Sequence, residues 1–265
     1  MAEPVMRALE IVVPPIVAAN GTTITYHGLD NIPDRGGALI AVNHTGYVDW
    51  LPASLAALQR RRRLRFMIKA EMQEVAPVNF VIKHIGLIPV DRRAGADSYA
   101  VAVQRLKEGE LVGVHPEATI SRSFELKEFK TGAARMARAA DVPIIPCIVW
   151  GAHRIWTKDH PKSLWRNKIP ILAKFGEPMR ADDTVEATTA ALHETMATML
   201  HQTQEEYPHP AGAFWVPRRL GGGAPTMAEA LTMREAELAE RARRRAEGRA
   251  PEPARGRWRR RTASR

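Results

Sequence analysis

The sequence predicts an α/β fold, with a mainly parallel, partly mixed central sheet flanked by helices on both faces. Short, continuously apolar runs such as residues 38–42 and 111–114 alternate along the chain with helical patterns of about ten to fifteen residues. Continuous apolar runs are typical of strands that are buried on both faces, and parallel strands need helical connections.

The elements follow one another in a regular order. Strands are predicted at residues 22–27, 38–42, 65–68, 85–90, 111–114, 142–149 and 169–175. Helices are predicted at residues 5–13, 50–60, 75–84, 98–107, 131–140, 185–203 and 227–245. Pro14 and Pro15 are expected to end the first helix, and Gly109 to end the fourth in a left-handed conformation.

The composition divides the chain into four parts. Residues 1–20 form an apolar N-terminal segment, which either lies in a membrane interface or packs on the body. Residues 21–207 form the main domain, residues 208–247 an extended arm and a helix, and residues 248–265 a basic tail that is expected to be disordered. No apolar stretch reaches the roughly 18 residues that span a bilayer, and no secretory signal is expected.

The net charge of +10 belongs almost wholly to the C-terminal end. Residues 241–265 contain eleven arginines and two glutamates, so the rest of the chain is nearly neutral. Such a tail is drawn to anionic lipid, binds nucleic acid non-specifically or stays solvated without a partner. Nucleic acid ranks last among these. The single cysteine, Cys147, excludes a disulfide within the chain and fits a cytoplasmic setting.

A histidine and an aspartate follow the second predicted strand. His44 and Asp49 are five residues apart, so in a continuous helix their side chains would point roughly 140° apart. They can meet only if the chain turns between them, which Gly46 permits. A neutral imidazole takes a proton from a hydroxyl, and a carboxylate on its other nitrogen fixes its tautomer. Alone the spacing is a weak signal, because a structural histidine is the commoner outcome.

Other polar side chains stand where predicted strands end, namely Lys69, Asp91 with Arg92, and Glu117. In α/β folds, sites gather at the carboxyl ends of the strands. We therefore expect these side chains to surround the histidine and the aspartate.

Four segments resemble, in order, the acyltransferases of glycerol-3-phosphate and its monoacyl derivatives, the 1-acyl-sn-glycerol-3-phosphate acyltransferase family. They are Asn43-His44 with Asp49, Gly86-Leu87-Ile88-Pro89-Val90-Asp91-Arg92, Val114-His115-Pro116-Glu117-Ala118-Thr119-Ile120-Ser121, and Val142-Pro143-Ile144-Ile145-Pro146. Residues 129–133 are similar to the family as well, and the resemblance spans roughly residues 24–204.

The resemblance implies an enzyme of phospholipid biosynthesis. It would move a fatty acyl group from acyl-CoA, or from acyl carrier protein, to the hydroxyl of lysophosphatidic acid or a related lysolipid. His44 would be the general base and Asp49 its orienting partner, with no acyl-enzyme. No metal is implied, and no cofactor beyond the acyl-CoA or acyl-ACP co-substrate.

The resemblance also suggests how the acceptor is bound. Arg92, with Arg93 beside it, would contact the acceptor phosphate, since a guanidinium fork suits phosphate. Glu117 would either hold the acceptor or brace its own segment. The remaining candidates for substrate binding are Thr119, Lys69 and Lys130.

The third segment departs from the family pattern. The family's Gly and Arg are replaced by Ala118 and Ile120, and its Phe before the Pro is His115. Arg122, two residues further on, is a candidate replacement for the arginine. The acceptor therefore stays open among lysophosphatidic acid, glycerol-3-phosphate, another lysophospholipid and a glycolipid. A catalytically silent member that binds lipid or acyl carrier protein is the alternative from another class.

Because lysolipid acceptors lie in membranes, we expect peripheral attachment to the cytoplasmic face of the cell membrane. The candidate contacts are the N-terminal segment, residues 154–168 with their tryptophans, and the basic tail.

Overall fold

In the described part of the chain, seven strands form one central sheet. The structure is a computed structural model, and it describes residues 4–69, 86–90, 95–166 and 168–247. The strands are β1 (Thr23–His27), β2 (Ala38–Val42), β3 (Leu64–Lys69), β4 (Ile88–Val90), β5 (Leu111–Val114), β6 (Ile144–Trp150) and β7 (Pro170–Phe175). Their spatial order is β1-β7-β6-β2-β5-β3-β4. All neighbours are parallel except β6 and β7, which confirms the mainly parallel, partly mixed sheet.

Helices cover both faces of the sheet, as predicted. They are α1 (Pro4–Ala19), α2 (Trp50–Gln59), α3 (Gly95–Lys107), α4 (Gly132–Ala140), α5 (Val185–Glu206) and α6 (Met227–Ala246). Alternate residues of β2 enter two apolar cores, one shared with α3, α4 and α5 and the other with α2. The helix predicted at residues 75–84 and the tail at residues 248–265 lie outside the described residues.

The first helix differs from the prediction. Helix α1 runs through Pro14 and Pro15 instead of ending before them. The two prolines remove the amide donors that would reach the carbonyls of Glu10 and Ile11. None of the residues of α1 is fully buried, so these carbonyls lie where solvent can bond them. The helix is tied to the body by Glu10, whose carboxylate accepts from Nε of Arg63 at 2.6 Å.

The segment that follows α5 packs on the body up to the start of α6. Trp215, Val216 and Ala224 are buried in the same core as α5. The ring of Trp215 lies 6.3 Å from that of Trp150 and 5.6 Å from that of Tyr207. A 3-10 turn at Arg218–Leu220 reverses the chain. The apolar side chains in this segment give the arm a fixed place against the sheet layer.

The register of the central strands determines where the candidate site lies. Ala41 of β2 pairs with Val114 of β5, and Val42 pairs with Cys147 of β6. The loops that begin at Asn43 and at His115 therefore leave the sheet side by side at its carboxyl end. Among the helices that the structure describes, none combines the length and the apolarity needed to cross a membrane.

Candidate active site

The loop after β2 is anchored by a buried asparagine. The side-chain amide of Asn43 donates to the carbonyl of Val149 at 3.1 Å, and its Oδ1 accepts from the Val149 amide at 2.7 Å. These two bonds tie the end of β2 to β6 beyond the last ladder pair. The position of the next residue, His44, is therefore set by the sheet itself.

The chain turns after His44 and brings Asp49 back to it. Nδ1 of His44 lies 3.3 Å from Oδ2 of Asp49, a carboxylate that is fully buried just before α2. The same Oδ2 accepts from the backbone amides of Thr45 and Gly46, both at 2.7 Å. The carboxylate thus holds the turn and the imidazole together.

Gly46 serves this turn by being small. The φ of Gly46 is not positive, so the turn involves no left-handed conformation at this residue. A Cβ at this position would lie 2.8 Å from Cα of His153 and 2.9 Å from the carbonyl oxygen of Trp156. The turn requires glycine because another segment of backbone passes close to it.

The electrostatics keep the imidazole neutral. Burial, followed by the positive charges of Lys127, Lys69 and Lys158, lowers the pKa of His44 to about 3. A neutral ring that donates from Nδ1 to Asp49 leaves Nε2 as an acceptor. Burial raises the pKa of Asp49 to about 7, while the neighbouring His115 ring and the two backbone amides act in the opposite direction.

A second histidine lies against the first. The ring of His115 stacks on that of His44, with centroids 3.9 Å apart and planes inclined by 11°. Nδ1 of His115 lies 3.0 Å from the carbonyl oxygen of Val42 and 3.2 Å from that of Asn43, so it donates to the backbone on either side of the strand end. The sequence marked His115 only as a departure from a phenylalanine, which gave no reason to expect this contact.

Glu117 braces the backbone of the loop that carries His44. Its Oε1 accepts from the backbone amide of His44 at 2.8 Å, and its Oε2 from the amide of Lys127 at 3.1 Å. Burial raises the pKa of Glu117, and burial lowers that of Lys127. The ammonium of Lys127 donates to the carbonyl and the hydroxyl of Thr119. Both carboxylate oxygens are thus engaged within the protein, in agreement with a bracing role.

The other predicted residues are dispersed. Lys69 is exposed at the end of β3, although its charge still reaches His44. Lys130 is exposed, and its backbone amide donates to the carbonyl of Pro116 at 2.9 Å. Arg92 and Arg93 lie outside the described residues. Ile120, which stands where the family has arginine, is buried and apolar.

Arg122 is held by carboxylates from two other segments. Its Nε donates to Oδ2 of Asp159 at 2.5 Å, and its Nη2 to Oε2 of Glu237 at 2.8 Å. Nζ of Lys158 donates to the same oxygen of Glu237 at 3.0 Å. Sequence reasoning missed Lys158 and Glu237, because neither belongs to a recognised segment and Glu237 is 115 residues from Arg122.

Within the described ranges, no group of three or more His, Cys, Asp or Glu side chains is arranged to hold a metal ion. The structure places a neutral imidazole, its carboxylate partner and several cations at this edge of the sheet. Such a set suits proton transfer to or from a hydroxyl near an anionic group.

Comparisons with known proteins agree on one family. A profile of the Acyltransferase family matches residues 23–150. A 1-acyl-sn-glycerol-3-phosphate acyltransferase of Bacillus subtilis is 27% identical over 185 residues, which are 69% of this chain and 87% of that protein. One of Borreliella burgdorferi is 27% identical over 142 residues, 52% of this chain and 56% of that protein. The chain thus spans only about half of the second relative.

A solved structure has the same fold. The crystal structure of the 1-acyl-sn-glycerophosphate (LPA) acyltransferase PlsC from Thermotoga maritima matches with a TM-score of 0.61 and 20% sequence identity. The match covers 77% of this chain and 82% of that one. The profile match contains the turn from His44 to Asp49 and the third segment with Glu117.

Proposed function

The chain belongs to the acyltransferase family, and on that premise we propose that it moves a fatty acyl group from an acyl thioester to the hydroxyl of lysophosphatidic acid or a related lysolipid. One observation carries the proposal. Nδ1 of His44 lies 3.3 Å from a buried carboxylate, Asp49, which two backbone amides hold in place. This arrangement orients one ring nitrogen and leaves the other for a substrate proton.

The reaction follows from the tautomer. Nε2 of His44 takes the proton of the acceptor hydroxyl while the hydroxyl oxygen attacks the thioester carbonyl carbon. The tetrahedral intermediate then expels the thiolate, which receives the proton from Nε2. The ester and the free thiol are formed, and His44 returns to its neutral state. Asp49 stabilises the imidazolium that forms in between, and positioned proton transfer of this kind is worth about 10²–10⁴-fold in rate.

Lysophosphatidic acid is the acceptor we favour, because the relatives described above carry it in their names. The positive charges of Lys127, Lys69 and Lys158 near His44 suit an anionic acceptor. Acyl-CoA and acyl carrier protein are both retained as donors. A catalytically silent lipid-binding role is the alternative, motivated by Ala118 and Ile120 in the third segment.

We further propose that the chain works at a membrane surface, on its cytoplasmic face and without spanning it. Ile11 and Ile16 of α1 and Trp165 are large apolar side chains that are exposed to solvent. Exposed apolar side chains of this size support peripheral binding to lipid. Sedimentation with anionic vesicles tests the proposal, and a chain that stays in the supernatant would contradict it.

A transfer assay with a panel of acceptors tests the activity. Labelled palmitoyl-CoA and palmitoyl-ACP are each offered with lysophosphatidic acid, glycerol-3-phosphate, another lysophospholipid and a monoacylglycerol. We expect His44→Ala to lose at least about 10²-fold in kcat. His201→Ala is the matched control, because His201 is exposed on α5. Full transfer by His44→Ala would overturn the proposal, and no transfer by the unaltered chain to any acceptor would favour the silent role.

A further inference from the structure

A cluster of basic side chains surrounds one carboxylate of the last helix. Glu237, on α6, accepts from Arg122 at 2.8 Å and from Lys158 at 3.0 Å through Oε2, and from Arg241 at 2.5 Å through Oε1. The side chains of Arg122 and Lys158 are only 10% and 17% exposed. Two cations from the body are therefore placed, largely out of solvent, around a single anion supplied by α6.

This cluster lies beside the turn that carries the candidate base. The amide of Tyr47 donates to the carbonyl of Trp156 at 2.9 Å, and the hydroxyl of Thr157 donates to the carbonyl of Thr45 at 2.7 Å. Lys158 is the next residue, and its charge is close enough to lower the pKa of His44. An anion seated on the cluster would therefore be a near neighbour of a hydroxyl at His44.

The cluster holds more positive than negative charge. Arg122, Lys158 and Arg241 are accompanied by two carboxylates, Glu237 and Asp159. Lys127 lies near the same charges: burial and the charges of Arg234, Lys158 and Arg122 lower its pKa, while Glu117 acts in the opposite direction. A contact that served folding alone would need no such surplus, whereas a site for a doubly charged anion would use it.

Helix α6 is held at this place largely by charge. Its side chains Leu231 and Leu238 are 54% and 52% exposed, so they add little apolar burial to its packing. An ion pair of this kind contributes little binding free energy, so another anion that binds the same cations can displace the carboxylate. The helix can therefore give up the contact without exposing a core.

We propose that Arg122 and Lys158 form the binding site for the phosphate group of the acceptor, and that the carboxylate of Glu237 holds this place in the ligand-free chain. The inference rests on the proposed function, because it assigns the phosphate of the proposed acceptor to these two side chains. The family's arginine position in the third segment is the buried Ile120, and Arg92 lies outside the described residues. Among the described residues near this segment, Arg122 and Lys158 supply the cations. A guanidinium fork and an ammonium together suit a phosphate monoester, whose charge exceeds that of a carboxylate.

Binding measured without catalysis tests the inference. The probe is a short-chain lysophosphatidic acid below its micelle concentration, titrated by calorimetry, with the monoacylglycerol of equal chain length as the uncharged comparison. We expect Glu237→Gln to bind the phosphorylated probe roughly 3- to 10-fold more tightly, because a competing charge has been removed. Lys158→Gln should bind it roughly tenfold more weakly, and neither change should alter binding of the monoacylglycerol.

Glu240→Gln is the matched control. Glu240 lies one turn further along α6 and pairs with Arg243 and Arg244 of its own helix, so the substitution removes the same charge away from the cluster. Unchanged or weaker binding of the probe by Glu237→Gln would overturn the inference, as would equal gains in Glu237→Gln and Glu240→Gln. If Lys158→Gln fails to fold by circular dichroism, the result with Glu237→Gln decides alone. The proposed function is judged separately, by His44-dependent transfer.

Discussion

The imidazole of His115 lies flat on that of His44, with ring centroids 3.9 Å apart. Asp49 holds the edge of the His44 ring through Nδ1, and His115 supports its face. His115 is in turn fixed by the carbonyls of Val42 and Asn43, the two residues that lead into His44. The bond to Asp49 and the stack on His115 thus determine the orientation of the His44 side chain before any substrate binds.

Two substitutions of His115 distinguish the effect of its stacking on His44 from that of its hydrogen bonds to the backbone. His115→Phe keeps an aromatic face but loses the bond to the two carbonyls, so we expect a loss of about 1 kcal/mol in the free energy of unfolding. We expect its kcat to fall only a few-fold, because the ring of His44 stays covered. His115→Ala removes both contacts and should lower kcat by roughly tenfold or more. Steady-state kinetics and urea unfolding check both variants, and equal kcat values for Phe, Ala and His would show that the stack is irrelevant to the reaction.

Asp49→Asn is expected to disable the base while leaving the turn in place. An Asn oxygen in the place of Oδ2 can still accept from the amides of Thr45 and Gly46 and from Nδ1 of His44, but the side-chain amide is neutral. The imidazolium that forms during proton transfer then loses the negative charge that stabilises it, and kcat should fall by about 10²–10⁴-fold.

Asp141→Asn is the matched control for this change. Asp141 is exposed at the end of α4 in a left-handed conformation, which asparagine accepts well. Circular dichroism shows whether each variant is folded. An Asp49→Asn protein that is folded and fully active would contradict the stabilising role of the Asp49 charge.

Glu117→Gln distinguishes a brace from a substrate ligand. A Gln side chain has only one acceptor oxygen in place of two. It can therefore accept from the backbone amide of His44 on one side or from that of Lys127 on the other, while its NH₂ group faces the remaining amide. The amide left unpaired should lower the free energy of unfolding by about 1–3 kcal/mol. A brace predicts a lower kcat with little change in KM for the acceptor. A raised KM at constant kcat would assign Glu117 to acceptor binding instead.

Much of this architecture could be predicted because local sequence and fold agree. The apolar run at residues 38–42 is the buried strand β2, and Gly109 takes the left-handed conformation that ends α3, with a φ of 86°. The spacing allowed His44 and Asp49 to meet if the chain turned between them, and the family resemblance implied that they act as a pair. These features depend on neighbours in the chain, which the sequence displays directly.

The rest depends on contacts between distant segments. Nothing near Glu117 indicates that both its oxygens would meet backbone amides, since one of these amides belongs to His44, 73 residues away. The pairing of Glu237 with Arg122 joins α6 to the residue that follows the third family segment. The passage of α1 through its prolines reflects a surface position that composition alone does not reveal. Such contacts are set by packing geometry, and no local pattern encodes them.

Three neutral imidazoles make the fold sensitive to acid. Burial lowers the pKa of His44, His115 and His153 from 6.5 to about 3. Below pH 6.5 the unfolded chain therefore takes up three protons that the folded chain refuses, and stability is lost as the pH falls. Asp49 and Glu117 act the other way, because burial raises their pKa values to about 7 and about 8. Asp49 and Glu117 thus keep their protons in the folded chain at pH values where the same carboxyls of the unfolded chain, with ordinary pKa values, have released them.

Between pH 6.5 and about 4.5 the three imidazoles outnumber the two carboxyls, and burial lowers the pKa of His160 as well. The unfolded chain therefore binds more protons than the folded chain, and the free energy of unfolding should fall as the pH falls. His153→Phe removes one of the three imidazoles from an aromatic cluster with Trp150 and Trp215, together with the 3.4 Å contact between its Nδ1 and Oγ1 of Thr45. We expect its free energy of unfolding to fall less steeply over the same range, by up to about 1.4 kcal/mol per pH unit less. Urea unfolding at several pH values measures both slopes, with His201→Gln at an exposed position as the control. Identical slopes for the unaltered chain and His153→Phe would mean that His153 takes up its proton equally in both states, contrary to its burial.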